Sequence, residues 1–247
     1  MIHLFTDFGL AGPYIGQVKA VLARAAPGVP VIDLLADAPP FDAKPAAYLL
    51  AAYDSIAAAG DVVVAVVDPG VGSARTALVL EVDDVWYVGP GNGIFEAVLA
   101  QAGNARAWEI TWRPAAASAS FHGRDIFAPA AARIAAGNPP EAADDWFRPL
   151  ETAALCMGWP DDWAAVVYVD RFGNLMSGLR ESALGPSDTL AVNDAPLPRH
   201  RTFSDAEPGE AFCYANSNGL MEVAVNMGRA DSRFGLAPGD PLTISRG

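Results

Sequence analysis

Cysteine is scarce. Cys156 and Cys213 are the only two in a chain of 247 residues, and neither sits at a metal-ligand spacing. A disulfide framework and a zinc knuckle are both disfavoured, which leaves two free thiols. Cations are scarce as well: 16 Lys and Arg stand against 29 Asp and Glu, a formal net charge of −13. A nucleic acid is a poor partner for such a chain, because affinity for a phosphate backbone rests on clustered Lys and Arg. No uninterrupted apolar run approaches the roughly 18 residues a membrane helix needs, and Met1 to Asp7 lacks the basic region and apolar stretch of a secretory signal. The expectation is a soluble, cytoplasmic protein with neither nucleic acid nor membrane as partner. Missing motifs exclude reactions in the same way. The chain has no Gly-x-Ser-x-Gly elbow of a serine hydrolase, no Walker loop and no Gly-x-Gly-x-x-Gly fingerprint.

What the chain does have is apolar content, 52% of its residues, enough for a packed core. Strand-like and Ala-rich helical segments alternate from the start: Ile2 to Thr6 then Tyr14 to Arg24, Val29 to Leu34 then Pro45 to Ala59, and a strand from Asp61 to Val67. That order predicts an α/β fold with a largely parallel sheet covered by helices. Leu78 to Val82 and Val85 to Val88 read as a hairpin around Asp83 and Asp84, followed by a helix to Gln101 and another over Phe127 to Ala136 that Asp125 is placed to cap. The pattern changes near Leu155 to Asp161. Beyond it, short strands at Ala165 to Val169, Thr189 to Val192, Ala211 to Ala215, Leu220 to Val225 and Pro241 to Ser245 are separated by turns. Such spacing favours a small antiparallel barrel or sandwich. Two domains are expected, residues 1–157 and 158–247.

Polar residues gather at the predicted strand ends. Asp68 closes a β-branched, apolar strand, Pro69, Gly70 and Gly72 stop it, and Arg75 follows seven residues after the acid. Ligands of open α/β sheets bind outside the carboxyl ends of strands, so this loop is a candidate site; a capped turn with a surface ion pair is the alternative. Asp7, in Thr6-Asp7-Phe8-Gly9, ends the first strand, so the two carboxylates can face one crevice. An acid there commonly accepts from a pair of ribose hydroxyls, or else serves as a structural cap. The kinase reading of Asp-Phe-Gly fails for want of the other kinase motifs. His122, within Ser120-Phe121-His122-Gly123-Arg124-Asp125, is the one histidine of three in a glycine-flanked polar cluster, and could act as a base or a hydrogen-bond donor near neutral pH, a surface loop histidine being the alternative. A metal hydrolase using Asp7, Asp68 and His122 is chemically possible but lacks a close ligand pair such as His-Glu-x-x-His.

Seven segments occur in a fixed order: Thr6-Asp7-Phe8-Gly9, Pro39-Pro40-Phe41-Asp42, Val67 to Arg75, Gly89-Pro90-Gly91-Asn92-Gly93, Phe121 to Asp125, Asp170-Arg171-Phe172-Gly173-Asn174 and Asn216-Ser217-Asn218-Gly219. In this set the chain resembles the S-adenosyl-L-methionine (SAM) hydrolases, also called SAM hydroxide adenosyltransferases, relatives of the fluorinating and chlorinating enzymes. The resemblance implies a larger N-terminal α/β domain, a smaller C-terminal β-barrel-like domain, and a homotrimer with sites between subunits. It implies hydrolysis of SAM to adenosine and L-methionine, with no metal or other cofactor. Asp68, Arg75 and His122 match the water-activating triad. Asp7, with Phe8 beside it, matches the ribose-binding acid, and Phe41 an aromatic packed on the nucleoside. Asp170 matches the acid that holds the methionine amino group, Asn174 an adenine contact with Phe172 in the same motif, and Ser217 a methionine-carboxylate contact. Glu222, Val225 and Met227 fall on the segment that lines the adenosine pocket. The halogenating relatives carry tyrosine in place of Asp68 and arginine in place of Asn218, which puts this chain with the water-using branch. A nucleoside-binding sensor that keeps the pocket with little catalysis is the alternative of a different class.

Overall fold

The computed structural model describes residues 1–141 and 144–247. They divide into two compact units, Met1–Trp159 and Pro160–Gly247. In the first unit, strands β1 (Ile2–Thr6), β2 (Val31–Leu35), β3 (Val62–Val66), β4 (Ala77–Val82), β5 (Val85–Pro90), β6 (Ala105–Ile110) and β7 (Phe147–Leu150) form one sheet in the order β2-β1-β3-β5-β4-β6-β7. The pairs β2 with β1, β1 with β3 and β3 with β5 are parallel, and the remaining three pairs are antiparallel. The sheet is therefore mixed. Every residue of β1 and of β3 is buried, as expected of strands covered on both faces.

Helices α1 (Tyr14–Ala25), α2 (Ala43–Ala52), α3 (Glu96–Gln101) and α4 (Ala128–Ala135) complete this unit. One core joins Ile2 and Leu4 of β1, Val62, Val64 and Val66 of β3, Val18 and Leu22 of α1, and Ala130, Ala131 and Ile134 of α4. Each fully buried Val, Leu or Ile there contributes about 1.5–3 kcal/mol, and alanines on α4 let that helix lie close to the strands. The β4–β5 hairpin turns at Asp83 and Asp84, both at positive φ (46° and 68°), which is the geometry of a tight two-residue turn.

Two sequence expectations need correction. The helix predicted over Pro45 to Ala59 runs only Ala43–Ala52, capped by the Asp42 carboxylate on the Lys44 N–H, and gives way to a short 3₁₀ turn at Asp54–Ile56. Asp54 is drawn off to accept from the Tyr87 hydroxyl. Asp125 does not cap α4: a π turn over Gly123–Phe127 precedes the helix, and the Asp125 carboxylate accepts instead from Arg124 and the Ser118 N–H. Strands β6 and β7 do not show in the sequence pattern, because Arg106 and Glu109 break one apolar run and Pro149 the other.

The second unit contains β8 (Trp163–Val169), β9 (Leu175–Arg180), β10 (Thr189–Val192), β11 (Ala195–Pro196), β12 (Ala211–Ala215), β13 (Leu220–Val225), a short helix α5 (Ala230–Phe234) and β14 (Thr243–Ser245). They make a four-stranded sheet, β12-β13-β9-β8, and a three-stranded one, β11-β10-β14, both antiparallel. Isolated bridges pair Ala165 with Pro241 and Arg199 with Cys213. Strand β9 escaped the sequence pattern because Gly178 sits in its middle, where an added Cβ would lie 2.9 Å from the Trp163 carbonyl. Among the described residues no helix is long and apolar enough to cross a membrane.

Asp61, at the entry to β3, ties this strand to β1. It accepts from the Met1 ammonium at 2.7 Å, from His3 Nε2 at 2.9 Å and from the Ala58 N–H at 3.1 Å. Burial alone would raise its pKa, but these donors outweigh it and hold the carboxyl at about 2. A depressed carboxylate stabilises the fold above its unfolded value near 3.9 and loses that effect as pH falls through the folded value. Asp61→Asn should therefore unfold at lower denaturant concentration at neutral pH, with the gap to the parent narrowing as the solution approaches pH 2; a gap independent of pH would contradict the linkage.

Candidate active site

Strands β1 and β3 are adjacent and parallel with Thr6 opposite Val66, so the residues that follow them emerge side by side at the carboxyl end of the sheet. Those residues are Asp7 and Val67-Asp68. The Asp7 N–H donates to the Val66 carbonyl at 3.4 Å, beside the crevice where parallel sheets hold ligands. A cavity of about 320 Å³ opens there, lined by Asp7, Phe8, Phe41, Asp68, Phe121 and His122 among others. Its walls are aromatic and its polar groups few, which suits a flat, partly apolar ligand.

Asp68 and Arg75 form a bidentate pair. Arg75 Nε donates to Asp68 Oδ1 at 2.6 Å and Arg75 Nη2 donates to Asp68 Oδ2. Their side chains are only 5% and 9% exposed, so the pair is a buried feature and the surface ion pair considered as the alternative is ruled out. Arg75 Nη2 also lies 3.1 Å from His122 Nδ1, and its guanidinium sits 5.3 Å from the Phe127 ring centroid. Gly72 makes this approach possible: φ is +81°, and a Cβ would stand 2.7 Å from the Ala119 carbonyl on the segment that leads to His122.

Electrostatics follow from the packing. Burial and the Arg75 charge lower the His122 pKa, against a smaller opposing effect of Asp68. The imidazole is therefore neutral at neutral pH. Burial raises the pKa of Asp7, and the nearby Asp68 charge adds to the rise, while the Phe41 N–H works against it. Phe41 itself is 81% exposed, held at φ 65° beside the crevice.

The second unit has its own cavity, about 650 Å³, lined by Asp170, Phe172, Asn174, Val225 and Met227 together with Phe203, Tyr214 and Arg229. Asp170 organises the β8–β9 turn. Its Oδ1 accepts from the Phe172 and Asn174 N–H groups at 2.8 and 2.9 Å, and its Oδ2 from Asn174 Nδ2 at 2.9 Å. Of the residues predicted from sequence, Ser217 and Glu222 are not among those lining this cavity. Ser217 is exposed in the β12–β13 turn. Glu222 is buried behind Tyr214 and Asn216, accepting from the Tyr214 hydroxyl at 2.5 Å and from Asn216 Nδ2 at 2.9 Å; burial raises its pKa against these donors. Tyr214 was missed, yet it faces Glu222 in the β12–β13 register, a placement that strand alternation could have revealed. Phe203 packs edge-on to Tyr214 at 5.4 Å and opens a short 3₁₀ turn, Phe203–Asp205, capped by Thr202.

Among the described residues no group of three or more His, Cys, Asp or Glu is arranged to hold a metal ion. Comparison with known proteins fits the two-unit division. The SAM hydroxide adenosyltransferase N-terminal domain matches residues 2–144 and its C-terminal domain residues 164–243. A protein of Thermus thermophilus named (R)-S-adenosyl-L-methionine hydrolase is 41% identical, with 98% of each chain covered. A Salinispora tropica protein of the same name is also 41% identical, over all of this chain and 98% of the relative. Among solved structures, an uncharacterized conserved protein from Thermotoga maritima superposes with a TM-score of 0.85 at 30% identity, covering all of both chains. With both family domains matched in order and relatives above two-fifths identity end to end, the chain belongs to the SAM hydroxide adenosyltransferase family.

Proposed function

We propose that the protein is a hydrolase that converts SAM and water to adenosine, L-methionine and a proton. The observation that carries this reading is the buried Asp68–Arg75 pair with neutral His122 on its flank, at the edge of an aromatic-walled cavity that also presents Asp7. The electrophile is C5′ of the ribose, and the leaving group is a neutral thioether. No general acid and no Lewis acid is needed to expel it. What the reaction lacks in bulk water is an oriented, deprotonating nucleophile, and that is what this cluster can supply.

The geometry supports a division of labour. Arg has only donors, so with Arg75 Nη2 at hydrogen-bond distance His122 Nδ1 must accept. The proton of the neutral ring then sits on Nε2, which makes His122 a donor that orients the water oxygen. Asp68 is left as the proton acceptor; each of its oxygens retains a lone pair after binding Arg75. As the proton moves to Asp68, Arg75 stabilises the charge that develops on the oxygen. Asp7 takes the ribose hydroxyls, with Phe8 and Phe41 against the nucleoside. In the second unit Asn174 and Phe172 serve the adenine with Val225 and Met227 beside it. Asp170 and Ser217 serve the methionine amino and carboxylate groups, and Glu222 acts from behind by fixing Tyr214 and Asn216.

The assembly we infer is a cytoplasmic homotrimer in which neighbouring copies complete one another's sites, acting without a metal or cofactor. The exposed apolar residues Leu10, Phe41, Phe172 and Met227 support burial against another copy. For the second unit we infer a barrel-like closure. The bridges at Ala165 and at Cys213 support it, since β8 and β12 are the two edges of the four-stranded sheet.

Purified protein incubated with SAM and EDTA should release adenosine and methionine in equal amounts; no release above the uncatalysed rate sinks the reading. Tight adenosine binding without turnover would instead identify a sensor.

Asp68→Asn should lower kcat by roughly 10²–10⁴-fold with adenosine affinity little changed, as loss of a proton acceptor does. Asp7→Ala should chiefly weaken adenosine binding, by about 10–100-fold for hydrogen bonds to a charged group. Loss of affinity alone in both variants would overturn the assignment of roles.

The pH dependence separates the same two groups. As pH falls, kcat should drop through a midpoint below the ordinary imidazole value of about 6.5, because protonated His122 no longer accepts from Arg75. Adenosine affinity should fall through a midpoint above the ordinary Asp value of about 3.9, where Asp7 protonates. An acid limb of kcat above the imidazole value would contradict the neutral, donating role of His122.

A further inference from the structure

The segment Gly89-Pro90-Gly91-Asn92-Gly93 has no role in the chemistry above, yet it touches both stems of the loop that carries Asp68 and Arg75. Asn92 Nδ2 donates to the Val67 carbonyl at 2.8 Å, immediately before Asp68. The Gly91 N–H donates to the Thr76 carbonyl at 2.8 Å, immediately after Arg75, and Arg75 Nη1 approaches that same carbonyl at 3.4 Å. The Asn92 side chain is itself fixed, since its Oδ1 accepts the Ile94 N–H at 3.3 Å.

The loop needs such support. Val67 is fully buried and lies one residue past β3, where no strand pairing continues. From Asp68 onward the chain is held by short turns, Val71 N–H to Asp68 O at 3.2 Å and Ser73 N–H to Gly70 O at 3.0 Å, around two glycines. These local bonds shape the loop without fixing it to the sheet. We propose that Asn92, with the adjacent Gly91 N–H, is the positioning device that sets the place of Asp68 and Arg75 relative to His122. Asn92 is not among the residues that line the cavity beside Asp68; it acts through the Val67 carbonyl. The turn after β5 thus becomes part of the water-handling apparatus, and its asparagine a determinant of rate with little bearing on affinity.

This inference rests on the hydrolase reading for its kinetic arm, so the test has a second arm that does not. Asn92→Asp keeps the acceptor for Ile94 and replaces the donor to Val67 with a carboxylate oxygen; Asn92→Ala removes both. In each folded variant kcat for SAM should fall by about 10–100-fold, the scale of a misplacement near 1 Å, while adenosine affinity stays within a few-fold, because Asp7 hangs from β1. In NMR titrations of the same proteins the His122 imidazole should shift its midpoint upward, since Arg75 is no longer held against it. Parent-like kcat and an unmoved His122 titration would overturn the proposal. So would loss of the folded state in both variants, which would make Asn92 a general determinant of the fold. A parent enzyme without SAM turnover refutes the hydrolase reading, and the His122 titration still decides the role of Asn92.

Discussion

A buried carboxylate–guanidinium pair governs this structure. Asp68 and Arg75 are almost completely enclosed, and removing two charges from water carries a penalty of several kcal/mol per ion that Coulomb attraction offsets only in good geometry. Both bonds of the fork are made, and Phe127 lies under the guanidinium. Buried pairs of this kind are weak evidence for stability, since an apolar replacement often serves as well. Their value is in fixing direction. Here the fixed direction is that of Arg75 Nη2, which reaches Nδ1 of His122 and so decides where the imidazole carries its proton.

The rest of the first unit can be understood from what that pair requires. A parallel β1–β3 pairing delivers Asp7 and Asp68 to the carboxyl end of the sheet, where burial, with a smaller contribution from the Asp68 charge, raises the pKa of Asp7. Glycine at position 72 allows the loop to close on the segment before His122. The π turn at Gly123–Phe127, which displaces Asp125 from the capping role, lets that acid hold Ser118 and Arg124 and so braces the loop on the other side. Three loops converge from different parts of the chain. Rigid strands below them make the convergence reproducible.

Much of this was legible in the sequence, for reasons that differ by element. The β3 strand was visible because burial on both faces demands an unbroken β-branched run, and the strand end with its acid was visible because Pro69 and Gly70 break that run. Its partners Arg75 and His122 came from the family resemblance and not from local pattern, since nothing local says that an arginine seven residues away folds back bidentately or that His122 meets that arginine across 47 residues. Strands β6, β7 and β9 were obscured by charges, a proline and a central glycine that tertiary context tolerates. In the second unit, Asp170, Phe172 and Asn174 stood out as a turn motif. Tyr214 and Phe203 did not, because aromatic residues in short strands and loops read as ordinary packing. Glu222 illustrates the limit best: sequence position put it on the lining segment, while the fold turns its carboxylate away into a network with Tyr214 and Asn216.

The central claim is that an enzyme-held water, deprotonated at Asp68, attacks C5′ and displaces methionine. Single-turnover hydrolysis of SAM in ¹⁸O-enriched water, with mass spectrometry of both products, tests it most directly. One ¹⁸O atom in the 5′-hydroxyl of each adenosine, and none in methionine beyond solvent exchange, is the predicted result. Unlabelled adenosine, or label that enters only methionine, would contradict it.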